Sequence, residues 1–182
     1  MMIDALKADA RKAAFAIRKL AFAAGQGRAA DLLADYLATQ RGKALSGYMP
    51  MRTEIDPLPA MAAHQGPVCV PVIMGKGQPL KFREWSPGCA MIAGEFGALI
   101  PAEGAWIEPE VLIVPMLSFD IRGYRLGYGG GFYDRTLQRM RLLRPTLAVG
   151  YAFAAQQISE VPIDVYDQKL DAIITEKGCV AL

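Results

Sequence analysis

The segment RLGYGGGFYDR, residues 125–135, combines residue types that suit the binding of a phosphate group. Its four glycines let the main chain approach a ligand closely and point successive amide groups at an anion. Arg125 adds a permanent, forked positive charge, and Asp134 would be repelled by phosphate unless a cation such as Mg²⁺ lay between them. Together these residue types favour a nucleotide phosphate site over the alternative, a ligand-free turn in which Asp134 only complements a helix dipole.

The flanking residues predict the order strand, loop, glycine turn and helix. The apolar run VLIVPML precedes the glycines, and FYDRTLQRMRLLR follows them with helical spacing. This order places main-chain amides and a helix N-terminus at the carboxyl end of a strand, where anions bind. The two common phosphate loops do not match. A P-loop needs Gly-Lys before Ser or Thr, and the dinucleotide fingerprint needs a glycine where Phe132 stands.

The first predicted helix carries a row of bases. Lys7, Arg11 and Arg18 are spaced by four and seven residues, which places them within about 40° of one another around the helix axis. Such a row is either a solvated face or the wall of a cleft, and the sequence leaves both open. The row borders an apolar stripe that we expect to be buried. The stripe consists of Ile3, Leu6, Ala10, Ala13, Ile17 and Leu20.

The rest of the chain predicts an α/β fold. Short apolar runs, among them ALSGYM, VCVPVIM, TLAVGY and DAIIT, alternate with helical or loop segments. Runs that are apolar on both faces indicate strands covered on both sides. We therefore predict a single domain over residues 1–182, a three-layer sandwich with a mostly parallel sheet and helices on both faces. Residues 75–109 are richer in Gly and Pro and would add a hairpin or a long loop.

Composition limits the class of protein. The net charge of +2 is too small to favour nucleic acid or a membrane surface as the main partner, and no apolar run approaches the roughly 18 residues of a membrane span. Cys69, Cys89 and Cys179 lie far apart, as expected of reduced thiols in the cytoplasm. His64 is the only histidine, which excludes zinc sites built from several histidines, and we interpret it as a helix end.

From Val114 to Arg135 the chain resembles the 5-formyltetrahydrofolate cyclo-ligase family, also called 5,10-methenyltetrahydrofolate synthetases. Shorter matches are Lys7 with Arg11, YMPMRTEID at residues 48–56, GEFGALIP at residues 94–101, and the tail segments TLAVGYAFAAQ and DAIITEKG. The resemblance implies a three-layer α/β sandwich. It also implies ATP- and Mg²⁺-dependent conversion of 5-formyltetrahydrofolate to 5,10-methenyltetrahydrofolate, with release of ADP and phosphate. In that reaction the formyl oxygen attacks the γ-phosphorus of ATP, N10 closes the ring, and phosphate leaves.

The resemblance assigns the ATP and metal site to two segments. The residues implied to bind ATP are Lys7, Arg11, Arg125, Gly127, Tyr128, Gly129, Gly130, Gly131, Phe132 and Tyr133. Arg125 and Tyr133 would also be catalytic, together with Asp134, which would hold Mg²⁺. Some relatives carry a lysine where this chain has Gly130, so that backbone amides would here replace a phosphate contact.

The resemblance also implies a folate subsite formed by Met51, Glu54 and Trp106. Glu54 would accept hydrogen bonds from the N–H groups of the pterin, whereas its position alone favours a loop acid after a strand. The implied partner is a small molecule, 5-formyltetrahydrofolate with or without a polyglutamate tail. We expect a cytoplasmic monomer with neither nucleic acid nor membrane as its partner.

Two other functions remain open at this point. A sugar-phosphate isomerase of similar architecture would keep the phosphate cradle but would need neither Mg²⁺ nor the row that contains Lys7 and Arg11. A non-catalytic anion- or RNA-binding module would use the basic helix as its contact surface and would show salt-dependent binding without turnover. The small net charge and the lack of a row of stacking aromatic residues count against that module.

Overall fold

The structure, a computed structural model, describes residues 2–182. The α-helices within this range are α1 (Met2–Ala24), α2 (Ala29–Leu37), α3 (Leu58–Ala63) and α4 (Phe132–Leu143). The first strands are β1 (Leu45–Ser46), β2 (Val68–Val72), β3 (Lys81–Glu84), β4 (Met91–Ala93), β5 (Leu99–Pro101) and β6 (Val111–Val114). They are followed by β7 (Ser118–Phe119), β8 (Arg125–Leu126), β9 (Leu147–Tyr151), β10 (Ala172–Thr175) and β11 (Gly178–Cys179).

Seven of these strands form one sheet in the order β11-β10-β9-β6-β1-β2-β3. The five inner strands run parallel to one another, while β3 and β11 run antiparallel at the two edges. The predicted mostly parallel sheet is therefore confirmed. Two antiparallel hairpins, β4–β5 and β7–β8, stand apart from the main sheet, and the first of them supplies the hairpin expected between residues 75 and 109.

Helices cover both faces of the sheet, as predicted. Leu33 of α2 belongs to the hydrophobic core on one face, and Leu137 of α4 belongs to the core on the other. Strand β6 contributes alternately to the two cores, with Val111 on the side of α2 and Leu112 on the side of α4. All four residues of β6 are fully buried, which explains why the strand reads as an uninterrupted apolar run.

The buried face of helix α1 is not the apolar face that its sequence predicts. Leu6 and Leu20 of the apolar stripe are 54% and 74% exposed, so the expectation that this stripe is buried is wrong. The buried residues of α1 are instead Lys7, Ala14 and Arg18. The physical reason is that Lys7 and Arg18 donate hydrogen bonds to oxygen atoms of loops that lie beyond the carboxyl ends of the strands. These bonds compensate for the cost of burying the two charges. Of the row of bases, Lys7 and Arg11 line a cavity, whereas Arg18 is buried without lining it.

The single histidine ends a helix, and the three cysteines are free thiols. His64 ends α3, as predicted, and its Nε2 lies 2.9 Å from the carbonyl oxygen of Lys43. Cys69, Cys89 and Cys179 are free thiols, and burial raises the pKa of Cys69 to about 12, which keeps that thiol protonated. Over residues 2–182, the structure has no helix with the length and apolar character that a membrane span requires.

Candidate functional site

A cavity of about 670 Å³ lies at the carboxyl edge of the parallel strands. Tyr48, Ile73 and Pro115 line it shortly after the ends of β1, β2 and β6. This is the edge at which open parallel sheets bind their ligands, because the connecting loops diverge there and leave a crevice. Residues 125–135 line the same cavity, so the glycine segment faces a space large enough for a ligand.

The glycines bring the main chain against α1 and start α4. Gly131 has a φ of +64° and directly precedes α4, and Gly129 has a φ of +100°. A side chain at Gly129 would also place its Cβ 3.2 Å from the Cζ of Arg11. Arg11 in turn donates from Nε to the carbonyl oxygen of Gly127 at 2.9 Å. The loop therefore needs glycine both for its conformation and for its close approach to Arg11.

Arg125 and Asp134 form a partly buried ion pair at the start of α4. Arg125 Nη2 donates to Asp134 Oδ1 at 2.8 Å, and its Nη1 donates to the carbonyl oxygen of Gln168 at 2.7 Å. The backbone amide of Gln168 also donates to Asp134 Oδ1, at 2.9 Å. Both bonds to Asp134 end at Oδ1, so that the lone pairs of Oδ2 are not used in this pair. The ion pair thus fixes the orientation of both side chains that the sequence placed around the glycines.

Lys7 is held by two acids that sequence reasoning missed. Its Nζ donates to Asp164 Oδ2 at 2.8 Å and to Asp167 Oδ2 at 2.7 Å. Burial opposes the charge of Lys7, but these hydrogen bonds raise its pKa above the usual value, and the bond from Lys7 lowers the pKa of Asp164. Lys7 and Asp164 are 157 residues apart, so no local pattern could have paired them.

Glu54 is the most deeply buried acid of the cavity wall, at 4% exposure. Its Oε1 accepts a hydrogen bond from the Tyr128 hydroxyl at 2.8 Å, and its Oε2 accepts one from the Met51 amide at 2.8 Å. Burial raises the pKa of Glu54, while these two hydrogen bonds and the charge of Arg18, 3.9 Å away, act in the opposite direction. Arg18 belongs to the predicted row of bases, but its place beside Glu54 was not foreseen.

Two aromatic residues and one arginine complete the wall near the glycines. Burial raises the pKa of Tyr133, whose hydroxyl stays protonated and, among residues 2–182, has no hydrogen-bond partner. It is a buried donor without a protein partner in that range. The ring of Phe132 packs against Phe96 of the β4–β5 hairpin, with centroids 6.3 Å apart. Arg135, which the sequence did not single out, donates to the carbonyl oxygen of Gly130 and lines the cavity.

The structure does not bring Trp106 together with the other predicted site residues. Its side chain is half exposed and does not line the cavity. The guanidinium of Arg83 lies over its ring, 4.5 Å from the centroid, and the ammonium group of Lys81 is 5.7 Å from it. Trp106 therefore packs against the cations of the edge strand β3. The remaining predicted residues of the ATP and folate subsites all line the one cavity.

This chain is similar to known proteins over most of its length. Residues 4–176 match the model of the 5-formyltetrahydrofolate cyclo-ligase family. The chain is 32% identical to the 5-formyltetrahydrofolate cyclo-ligase of Mycolicibacterium smegmatis over 158 residues, which cover 78% of both chains. It is 47% identical to that of Escherichia coli K12 over 66 residues, and this alignment spans only 36% of either chain.

Solved structures share the fold over nearly the whole chain. The 5,10-methenyltetrahydrofolate synthetase of Aquifex aeolicus superimposes with a TM-score of 0.72 and 28% identity, covering 96% of this chain and 91% of its own. That of Mycoplasma pneumoniae shares the fold with a TM-score of 0.69 and 22% identity, covering 97% and 99% of the two chains. The predicted α/β sandwich is confirmed, and the match over residues 4–176 shows that this chain belongs to the 5-formyltetrahydrofolate cyclo-ligase family.

Proposed function

We propose that this protein converts 5-formyltetrahydrofolate to 5,10-methenyltetrahydrofolate at the expense of ATP, with release of ADP and phosphate. The observation that carries the proposal is one cavity in which a cationic, amide-rich loop and a buried carboxylate both form the wall. A triphosphate needs the first of these groups, and the N–H groups of a reduced pterin need the second. Membership of the family supplies the reaction class.

The glycine side of the cavity suits the triphosphate. Arg125, Lys7 and Arg11 carry fixed positive charges, and residues 127–131 add backbone amides at the N-terminus of α4. Phosphoryl transfer requires little covalent work from a protein, so the role of these groups is to position the phosphates and neutralise their charge. The Tyr133 hydroxyl adds one neutral donor that has no competing partner in the described part of the chain.

The Glu54 side suits the pterin. Each carboxylate oxygen of Glu54 accepts one protein hydrogen bond and keeps a further lone pair for the pterin N–H groups. Met51 stands next to Glu54 in the same wall. A folate held there would direct its formyl oxygen at the γ-phosphorus, and attack by that oxygen would displace ADP and make the oxygen part of a phosphate leaving group. N10 then attacks the formyl carbon, and phosphate departs with the oxygen as the ring closes.

We further propose that Asp134 holds Mg²⁺ in this site. Its Oδ2 lone pairs are not used by Arg125 or Gln168, and it lies in the first turn of α4 next to the loop that would hold the phosphates. Between residues 2 and 182 there is no cluster of three or more metal-ligating side chains, which fits an ion that takes most of its ligands from phosphate and water. When bound, Mg²⁺ would neutralise the developing charge on the transferred phosphate.

The proposed setting is a monomer in the cytoplasm. The groups named above for both subsites come from one chain. The free thiols of Cys69, Cys89 and Cys179 suit a reducing compartment. A sugar-phosphate isomerase would need neither Mg²⁺ nor the cations Lys7 and Arg11 on the cavity wall, and no observation among the described residues favours an RNA-binding module.

The proposed reaction is tested by following the absorbance of the methenyl product. We expect product when the protein receives 5-formyltetrahydrofolate, ATP and Mg²⁺, and no enzyme-dependent product when ATP is omitted. One phosphate should be released for each methenyl product formed. Phosphate release that does not depend on the folate, or a protein that forms no product, would contradict the proposal.

The metal proposal predicts a specific defect for Asp134→Asn. Loss of the carboxylate charge should lower turnover by about a hundredfold, and half-saturation should require at least about tenfold more Mg²⁺. Because the change also weakens the pair with Arg125, the diagnostic readout is the Mg²⁺ titration, not turnover alone. A variant with reduced turnover but an unchanged Mg²⁺ requirement would show that Asp134 acts only on Arg125.

The role of α1 predicts that Lys7→Ala combined with Arg11→Ala weakens the binding of a non-hydrolysable ATP analogue at least about tenfold, or 1.4 kcal/mol. Each cation would contact phosphate in a partly desolvated site, and removal of Lys7 also leaves Asp164 and Asp167 to repel the nucleotide. Alanine favours helix, so α1 should persist. The measurement is isothermal titration calorimetry.

The matched control for this pair is Lys12→Ala combined with Lys19→Ala. Both residues lie on the exposed face of α1, and the change lowers the net charge by the same two units. Long-range attraction of the nucleotide therefore falls equally in the two double variants, and only local contact distinguishes them. Equal affinities of the two variants would remove Lys7 and Arg11 from the proposed site.

A further inference from the structure

A continuous chain of hydrogen bonds connects α1, the glycine loop and Glu54, the residue proposed to bind the pterin. Arg18 Nη1 donates to the Tyr128 hydroxyl at 2.6 Å, and the same hydroxyl donates to Glu54 Oε1 at 2.8 Å. Tyr128 belongs to the glycine loop, between Gly127 and Gly129. A single hydroxyl therefore joins the loop proposed for the phosphates to the carboxylate proposed for the pterin.

Arg18 is placed to hold the negative charge of Glu54. Its side chain is 1% exposed, and its Nη1 lies 3.9 Å from Glu54 Oε1. A buried carboxylate without a cation nearby favours its protonated form, which would donate a hydrogen bond where the pterin requires an acceptor. Arg18 also donates from Nε to Thr53 Oγ1 at 3.1 Å. It therefore also binds the residue that precedes Glu54 in the same loop.

The ring of Tyr128 packs against α1 on one side and is open to the cavity on the other. The ring packs on Phe15 of α1, with centroids 5.7 Å apart, and the Arg18 guanidinium lies 5.4 Å from its centre. The side chain is nevertheless 41% exposed and lines the cavity. A residue needed only for the core would be buried, and Arg18 Nη2 has no hydrogen-bond partner in the described chain, so the network is not saturated by structural contacts.

We propose that Tyr128 and Arg18 are positioning residues that couple the two subsites. A nucleotide that orders residues 127–131 would fix the Tyr128 hydroxyl, and Tyr128 together with Arg18 would fix the Glu54 carboxylate in the charged, accepting arrangement that the pterin needs. The inference rests on the proposed function, since it takes the two ligands to be ATP and 5-formyltetrahydrofolate.

The coupling follows from the cost of ordering the loop. Glycines lose more backbone freedom than other residues when they become fixed, and Gly129 and Gly130 are exposed in this loop. Whichever ligand binds first bears this ordering cost, so the second ligand binds more tightly. Because linkage is reciprocal, the factor by which nucleotide strengthens folate binding must equal the factor by which folate strengthens nucleotide binding.

The experiment measures the affinity of 5-formyltetrahydrofolate by calorimetry, without and with a saturating non-hydrolysable ATP analogue. For the unaltered protein we expect the analogue to tighten folate binding at least about fivefold. Tyr128→Phe removes the hydroxyl but keeps the ring on Phe15 and Arg18, so the analogue should no longer tighten folate binding in this variant. Tyr166→Phe is the matched control, because Tyr166 lines the same cavity but its hydroxyl lies outside the chain of bonds. It should keep the full coupling.

The outcomes separate the coupling from the proposed function. Folate binding that the analogue leaves unchanged in the unaltered protein would overturn the coupling and leave the function standing. Full coupling in Tyr128→Phe, or an equal loss in Tyr166→Phe, would also overturn it, since the hydroxyl of Tyr128 would then have no special role. A protein that does not bind 5-formyltetrahydrofolate at all would contradict the proposed function and, with it, the coupling.

Discussion

Helix α1 reaches the carboxyl edge of the sheet through three cations, Lys7, Arg11 and Arg18, which together bind oxygen atoms on three loops. Burying a charge costs free energy unless it is paired and hydrogen-bonded, so these contacts are strongly specified. They hold the loops at residues 53–54, 127–128 and 164–167 to one rigid helix. The walls of the cavity depend on this docking.

The same contacts would prepare the proposed site for an anion. In the structure the cations are bound by protein oxygens, with Lys7 on Asp164 and Asp167 and Arg125 on Asp134. A bound triphosphate would accept hydrogen bonds from these same donors. Because the protein already holds the donors in the site, they would not have to be reorganised from solvent, which is the advantage of a preorganised electrostatic site. The cost is that α1 leaves much of its apolar stripe exposed.

The parts of the fold that depend on local patterns could be predicted from the sequence. The central strands were recognisable as apolar runs, and α4 was recognisable by its spacing and by the glycines before it. The buried face of α1 could not be predicted in this way, because hydrophobic periodicity assumes that the apolar stripe faces the core. Nor could the pairing of Lys7 with Asp164, or the path from Arg18 through Tyr128 to Glu54, since those partners are distant in sequence.

Hydrogen exchange of the α1 amides is the most direct measure of whether this helix is part of the site. If Lys7 and Arg11 bind a triphosphate in addition to their present loop contacts, α1 gains contacts and its amides should exchange more slowly. The account predicts that a non-hydrolysable ATP analogue slows exchange both in residues 127–131 and along α1. Slower exchange in the glycine loop with no change in α1 would contradict the account, because the helix would then take no part in nucleotide binding.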